Sequence, residues 1–446
     1  MQRRDFVKMG AVLGASAVLP KFSFASAKGD DRIKVGLIGC GGRATGAACN
    51  MLCADSNVEF VAFADLFADK IDPSIKKIQA KAAQVCPKDA DKIINPAKVQ
   101  KFSGWDCVDK LLAIGEIDVV IEATPPVFRT PHYRKIVAAG KHAFLEKPAC
   151  IDITQAREML ELAAEADKKG LCVVCGTQRR YHDGYKEVIK RVHDGMIGEP
   201  ISAQCYWNQA GYVGHGQHDK MEKEGLFKGL TPDDMEYQIR NWFSFIWSSG
   251  DHIVEQHVHN IDVIMWALGD NRNPVNVRGM GGRSTDLPVP VYGDRFSHFA
   301  VDFDMGNGLH LSSYCQQDPG AAGEVGERVV GTKGIMTTAL WGGACKITDL
   351  KGNVLYAAPE KVPQCMEMEH KFLLDAIRAG RHVNTLPTLV NSTLLAIAGR
   401  MSAFSGKKFK YEWVLKKSQE NLVPKTLGFV KNPVAGVPVP GKYRLS

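Results

Sequence analysis

The chain has no apolar run long enough to span a bilayer: the stretch from Met9 to Pro20 stops well short of the required length. It also lacks a dense cluster of Lys and Arg. Of the formal charge of +7, the first 27 residues carry +3, so the remainder is only mildly basic and gives no footing for nucleic acid. No internal repeat or low-complexity segment is present. The His-x-x-x-His spacing usual for helical zinc sites is missing. Cysteine is not scarce, at twelve, yet a disulfide framework is not implied. Most of the cysteines lie inside apolar runs, and Cys172 and Cys175, three apart on one strand, face opposite sides. Buried thiols acting as small hydrophobes are expected instead.

What the chain does have begins at its first residues. Gln2-Arg3-Arg4-Asp5-Phe6-Val7-Lys8, the apolar stretch and Ala25-Ser26-Ala27 read as a twin-arginine export signal over residues 1–27, with cleavage before Lys28. Periplasmic export of an already folded protein is the expectation. At 446 residues the remainder exceeds one ordinary core.

From residue 33 onward apolar strands alternate with helical stretches, which predicts a doubly wound parallel sheet over residues 28–175. One helix is expected from Pro131 to Ala139. Beyond about residue 198 the pattern turns to strands joined by tight turns. Ser297–Phe303 and Leu309–Tyr314, around Gly306-Asn307-Gly308, read as a hairpin. The fold class is therefore α/β: an N-terminal Rossmann sheet, then a C-terminal α+β domain (176–385) with a large, mostly antiparallel open sheet. Residues 386–446, an apolar helix and a tail, are expected to pack back on the body.

Gly39-x-Gly41-x-x-Ala44 follows a strand and opens a helix, matching the dinucleotide fingerprint. Gly39 suits the tight turn, and Gly41 with Gly42, Arg43 and Ala44 brings the pyrophosphate to a helix N-terminus. Asp65 ends the second strand, where a carboxylate accepts ribose hydroxyls and repels a 2′-phosphate, so NAD is the cofactor expected. Thr124 and Pro125 end a later strand, on the nicotinamide side.

Glu146-Lys147-Pro148, directly after a sheet strand, together with the glycine turn, resembles the Gfo/Idh/MocA oxidoreductases. The resemblance extends over roughly residues 33 to 400 and includes a later helix with an acidic residue, His four places on, then x-x-Asp. Here these are Glu255, His259 and Asp262. It implies that Lys147 meets the substrate beside the nicotinamide. The chemistry agrees: alcohol oxidation needs a base for the hydroxyl proton, and His259 suits it. Glu255, one turn back, is expected to orient the imidazole, and Lys147 to stabilise the alkoxide. The family usually has Asp at the position of Glu255.

His252 and His257 are read as core or neighbouring residues, and no metal is expected. Arg180, Tyr181, Trp207, Asn208 and Trp242 are candidates for a sugar-binding wall. The expected activity is NAD-dependent oxidation of a sugar or glycoside ring hydroxyl, with tightly held, recycled cofactor. The 3-hydroxyl rests on the resemblance alone. Two alternatives stand beside it: an NAD-dependent glycosidase working by transient oxidation and elimination, and a non-catalytic sensor of sugar or nucleotide. Exported N-acetylgalactosaminidases of the superfamily resemble the chain in leader and nucleotide domain, but tend to lack a counterpart of Lys147. A homo-oligomer is expected, since the open sheet forms subunit contacts in proteins of this kind.

Overall fold

The computed structural model describes residues 31–212, 215–339, 344–359 and 364–446; the export signal lies outside the described residues. The first sheet contains β1 (Ile33–Ile38), β2 (Val58–Asp65), β3 (Gln100–Ser103), β4 (Val119–Glu122), β5 (His142–Leu145) and β6 (Val173–Cys175). All six pair in parallel, in the order β3-β2-β1-β4-β5-β6. Helices cover both faces, which explains why β1, β4 and β6 are mostly apolar rather than alternating. The order reverses between β1 and β4, the place where such sheets bind their ligands.

The helix expected from Pro131 begins a turn earlier, at Pro126, and runs to Ala138 with Pro131 inside it. Pro126 suits the first turn, where no N–H is needed. Pro131 removes the donor that Val127 O would receive from within the helix. The side-chain amide of Gln155 supplies it instead, at 2.8 Å.

The second sheet contains β7 (Pro200–Asn208), β8 (Asn276–Gly282), β9 (His298–Asp304), β10 (His310–Gln316), β11 (Glu324–Gly331), β12 (Gly334–Thr338), β13 (Lys346–Asp349), β14 (Val354–Ala357) and β15 (Phe409–Lys410). It is antiparallel throughout except for the β7–β10 pair. The hairpin at Gly306–Gly308 forms as β9 and β10. Alternation along β7 sends Cys205 and Trp207 inward and leaves Tyr206 and Asn208 on the outer face.

Two helices of the C-terminal part tie the halves together. Cys365–Arg378, expected within the second domain, buries Leu373, Leu374 and Ile377 in the core of the nucleotide sheet. Leu386–Ser405 is buried along most of its length, between the second sheet and the helix Ile153–Lys168. All twelve cysteines are free thiols, and only Cys49, Cys53 and Cys86 are not fully buried. Among the described residues no helix is long and apolar enough to cross a membrane.

Candidate active site

The glycine turn takes the shape that a dinucleotide needs. Gly39 has φ +86°, and a Cβ there would lie 3.1 Å from the carbonyl of Ala123 and from Thr124 N. Beyond Gly41 and Gly42 the space is open, so the helix Gly42–Ala54 aims its first unpaired N–H groups into a cavity of about 540 Å³. Ala44, in the first turn of that helix, is fully buried. Asp65 closes β2 with one carboxylate oxygen on Cys40 N (2.7 Å) and the other on Phe67 N (2.9 Å). Burial raises its pKa, and those two donors counter the rise. The carboxylate is thus fixed at the cavity wall, and each oxygen keeps a lone pair for a ribose hydroxyl. These residues fit the adenosine and pyrophosphate of NAD.

Thr124 and Pro125 line the same cavity, held by a network that sequence reasoning missed. Arg129 Nε donates to Glu122 Oε2 at 2.9 Å, and its Nη2 to Thr124 O at 2.8 Å. Nη1 donates to Pro148 O, so one buried guanidinium joins the Thr124 loop to the segment carrying Lys147. Burial alone would raise the Glu122 pKa; Arg129 and His132 bring it below the ordinary value. The only sequence signal was an acidic residue at the end of an otherwise apolar strand.

Lys147 and Glu255 meet across the two domains. Lys147 Nζ lies 2.6 Å from Glu255 Oε1 and 2.7 Å from Glu255 O. The preceding Glu146 pairs with Arg43, which lines the cavity, at 2.9 Å. Gly176 leaves room for that carboxylate: a Cβ there would lie 2.7 Å from Glu146 Oε2.

The single helix expected to carry Glu255, His259 and Asp262 is broken. His252–Glu255 forms one turn, His257 N reaches back five residues to His252 O, and a second helix starts at Val258. Glu255 is therefore bound to Lys147 and does not orient His259. Among the described residues no carboxylate pairs with the imidazole. Its ring stacks on Trp207 instead, with centroids 5.9 Å apart and 24° between planes. Burial first, then Lys147, Arg179 and Arg43, hold the His259 pKa well below its ordinary value, so the ring is neutral.

The remaining wall candidates separate. Arg180 is committed to Asp262, at 2.8 and 2.9 Å, and to Asp270, at 2.7 Å, a structural clamp rather than a substrate contact. Tyr181 packs on Phe372 at 5.6 Å, under the helix Cys365–Arg378. Asn208 faces away from Trp207. Trp242 lines the cofactor cavity. Buried Arg179, paired with Glu327, lies 5.5 Å from the Trp207 ring centroid and backs it. His257 bonds Ser313 Oγ at 2.7 Å, and His252 packs on Phe299.

Residues 33–174 match the model of the oxidoreductase family, NAD-binding Rossmann fold. Those residues are thus similar to the NAD-binding domain of the Gfo/Idh/MocA oxidoreductases. Scyllo-inositol 2-dehydrogenase (NAD(+)) of Bacillus subtilis (strain 168) is 24% identical over 59% of this chain and 69% of its own. A glycosyl hydrolase family 109 protein of Shewanella pealeana is 27% identical over 39% of this chain and 35% of its own. The chain spans less than half the length of the Shewanella relative and of a 2,7-anhydro-N-acetylneuraminate hydratase from Escherichia coli (strain K12). The structure of scyllo-inositol dehydrogenase from Lactobacillus casei with bound NAD(H) and scyllo-inositol superposes with a TM-score of 0.61. It is 17% identical and covers 86% of this chain and all of that one, so the two-domain fold is shared.

Proposed function

We propose that the protein oxidises a ring hydroxyl of a sugar or glycoside, at the 3-position, using NAD retained through turnover. The observation that carries this reading is the Lys147–Glu255 contact, with neutral His259 near enough to feel the lysine's charge, and with Glu146 next to Lys147 paired to Arg43 at the wall of the dinucleotide cavity. When bound, NAD supplies the hydride acceptor. His259 takes the hydroxyl proton, being uncharged and buried against Trp207. Lys147 donates to the oxygen as negative charge develops, and Glu255 holds its Nζ in place. Arg43, Asp65 and Thr124 hold the cofactor.

Resemblance to inositol dehydrogenases supports a cyclic polyol or sugar. The export signal, read from sequence, supports a periplasmic enzyme that regenerates its cofactor in place. A homo-oligomer is proposed through the outer face of the second sheet, where Met280 and Tyr314 are exposed. The test is native purification, mass spectrometry of released nucleotide, and a panel of glycosides followed by nicotinamide absorbance. Bound NAD and reduction by a glycoside are expected; a protein with neither refutes the reading.

Similarity to family 109 hydrolases favours a second reading, net hydrolysis through transient oxidation. Release of aglycone from a chromogenic glycoside without accumulating NADH would select it.

A further inference from the structure

The cavity has a roof, and the roof is not part of the nucleotide domain. It comes from residues after β7: Met221, Ile239, Arg240 and Trp242 face the strand ends across the cavity. Arg240 lies 3.8 Å from the Phe67 ring centroid and bonds Asp69 at 3.3 Å. Phe67 and Asp69 directly follow the ribose-binding Asp65, so roof and floor touch at the adenosine end.

The end of the chain crosses the outside of this junction. Phe429 stacks on Phe67, at 6.3 Å and 24°, and meets Trp105 at 5.5 Å; both of those rings line the cavity. The next three residues grip the start of the roof helix Met235–Arg240. Val430 O accepts from Met235 N at 2.9 Å. Lys431 pairs with Asp234 at 2.8 Å. Asn432 exchanges side-chain and backbone bonds with Gln238, at 2.8 and 2.7 Å. Leu427 and Val434 pack into the apolar cluster that holds Phe67, Phe128, Met235 and Ile239. Apart from the isolated bridge Lys431 makes with Asp234, this segment has no regular secondary structure, so its order comes from these contacts.

We propose that residues 427–434 latch the roof over the cofactor and make bound NAD non-exchanging. This rests on the cavity being the NAD site, and it adds Phe67, Trp105 and Arg240 to that site as faces for the adenine ring. Release requires the roof to lift, and the roof is tied to the tail at Asp234, Met235 and Gln238. The latch closes over the adenosine end, away from Lys147 and His259, so it controls residence of the cofactor rather than the chemistry.

The test compares wild type with Phe429→Ala and Asn432→Ala, and with a chain truncated after Val423. Each protein is loaded with NAD, desalted, and chased with a fluorescent etheno-NAD while release is followed. Wild type is expected to keep its NAD through desalting. The point variants should release it about tenfold faster, the effect of one lost aromatic or hydrogen-bonded contact, with the melting temperature of the cofactor-free protein unchanged. Wild-type release rates in both point variants overturn the latch, whatever the truncated chain does. A wild type that binds no NAD overturns the cofactor reading as well. Bound NAD with no sugar oxidation, but fast release from the variants, leaves the latch standing and removes only the proposed reaction.

Discussion

Lys147 reaches from the end of β5 to both the side chain and the main chain of Glu255, at 2.6 and 2.7 Å. One ammonium thereby fixes the last residue of the His252–Glu255 turn against the nucleotide domain. Lys147→Met should lower kcat by roughly 10²–10³, the usual cost of an oxyanion donor. Glu255→Gln keeps the shape but loses the charge and should lower kcat less. Both variants should retain NAD, checked by nucleotide content after desalting.

His259 predicts a particular pH response. Its folded pKa is depressed by burial and by Lys147, so the imidazole stays neutral, and active as a base, well below the usual histidine range. Trp207→Ala exposes the ring to water and raises that pKa. The acid limb of kcat/KM should then move to higher pH, and Trp207→Phe should restore much of the wild-type profile. An unmoved limb in Trp207→Ala would show that the stack does not govern the histidine.

The buried Arg129–Glu122 pair can be broken from one side only at a high cost. Arg129→Met leaves a fully buried carboxylate without its guanidinium, with only the longer contact to His132, worth about 3–5 kcal/mol of stability. Because the wild-type Glu122 pKa lies below its ordinary value, the pair's contribution is present above that value and fades as pH falls through the folded pKa. Thermal melts from neutral to acid pH should show the wild-type advantage over Arg129→Met shrinking on acidification.

Buried carboxyls and buried imidazoles pull stability in opposite directions below neutrality. Asp294 and Glu420 are pushed up to about 7 by burial, so from there down to the ordinary carboxylate range the folded state binds more protons than the unfolded one, and these two groups add stability as pH falls. Burial pushes His257 and His370 down to about 3, so below the ordinary histidine range the unfolded state binds more protons and stability falls. Melting temperature against pH in single variants separates the two. Asp294→Asn should lose part of the gain that wild type shows on acidification from pH 7, and His370→Phe, beside Phe144, should lose part of the fall below the histidine range.

The nucleotide half was readable because its signals are local. Gly39-x-Gly41-x-x-Ala44 and Asp65 each sit at a strand end, where period and turn chemistry agree. The proposed catalytic trio was readable as a set of residues but not as an arrangement. Nothing in Gln256-His257, which contains neither Gly nor Pro, announces the break that separates Glu255 from His259. Arg180 looked available because its partners, Asp262 and Asp270, lie more than eighty residues along the chain. Trp242 reaches the cofactor cavity, and the tail around Phe429 reaches the rings of its wall, only through packing between distant segments, and no short pattern encodes that.

Val127 O, Pro131 and Gln155 form a matched set with a consequence for how this sequence can drift. If Gln155 is replaced while Pro131 remains, a carbonyl is stranded inside the protein. If Pro131 becomes alanine first, the helix supplies that donor itself, and the amide is left with its other bond, accepting from Ile151 N at 3.2 Å. Of the two orders of change, one strands the Val127 carbonyl and the other does not.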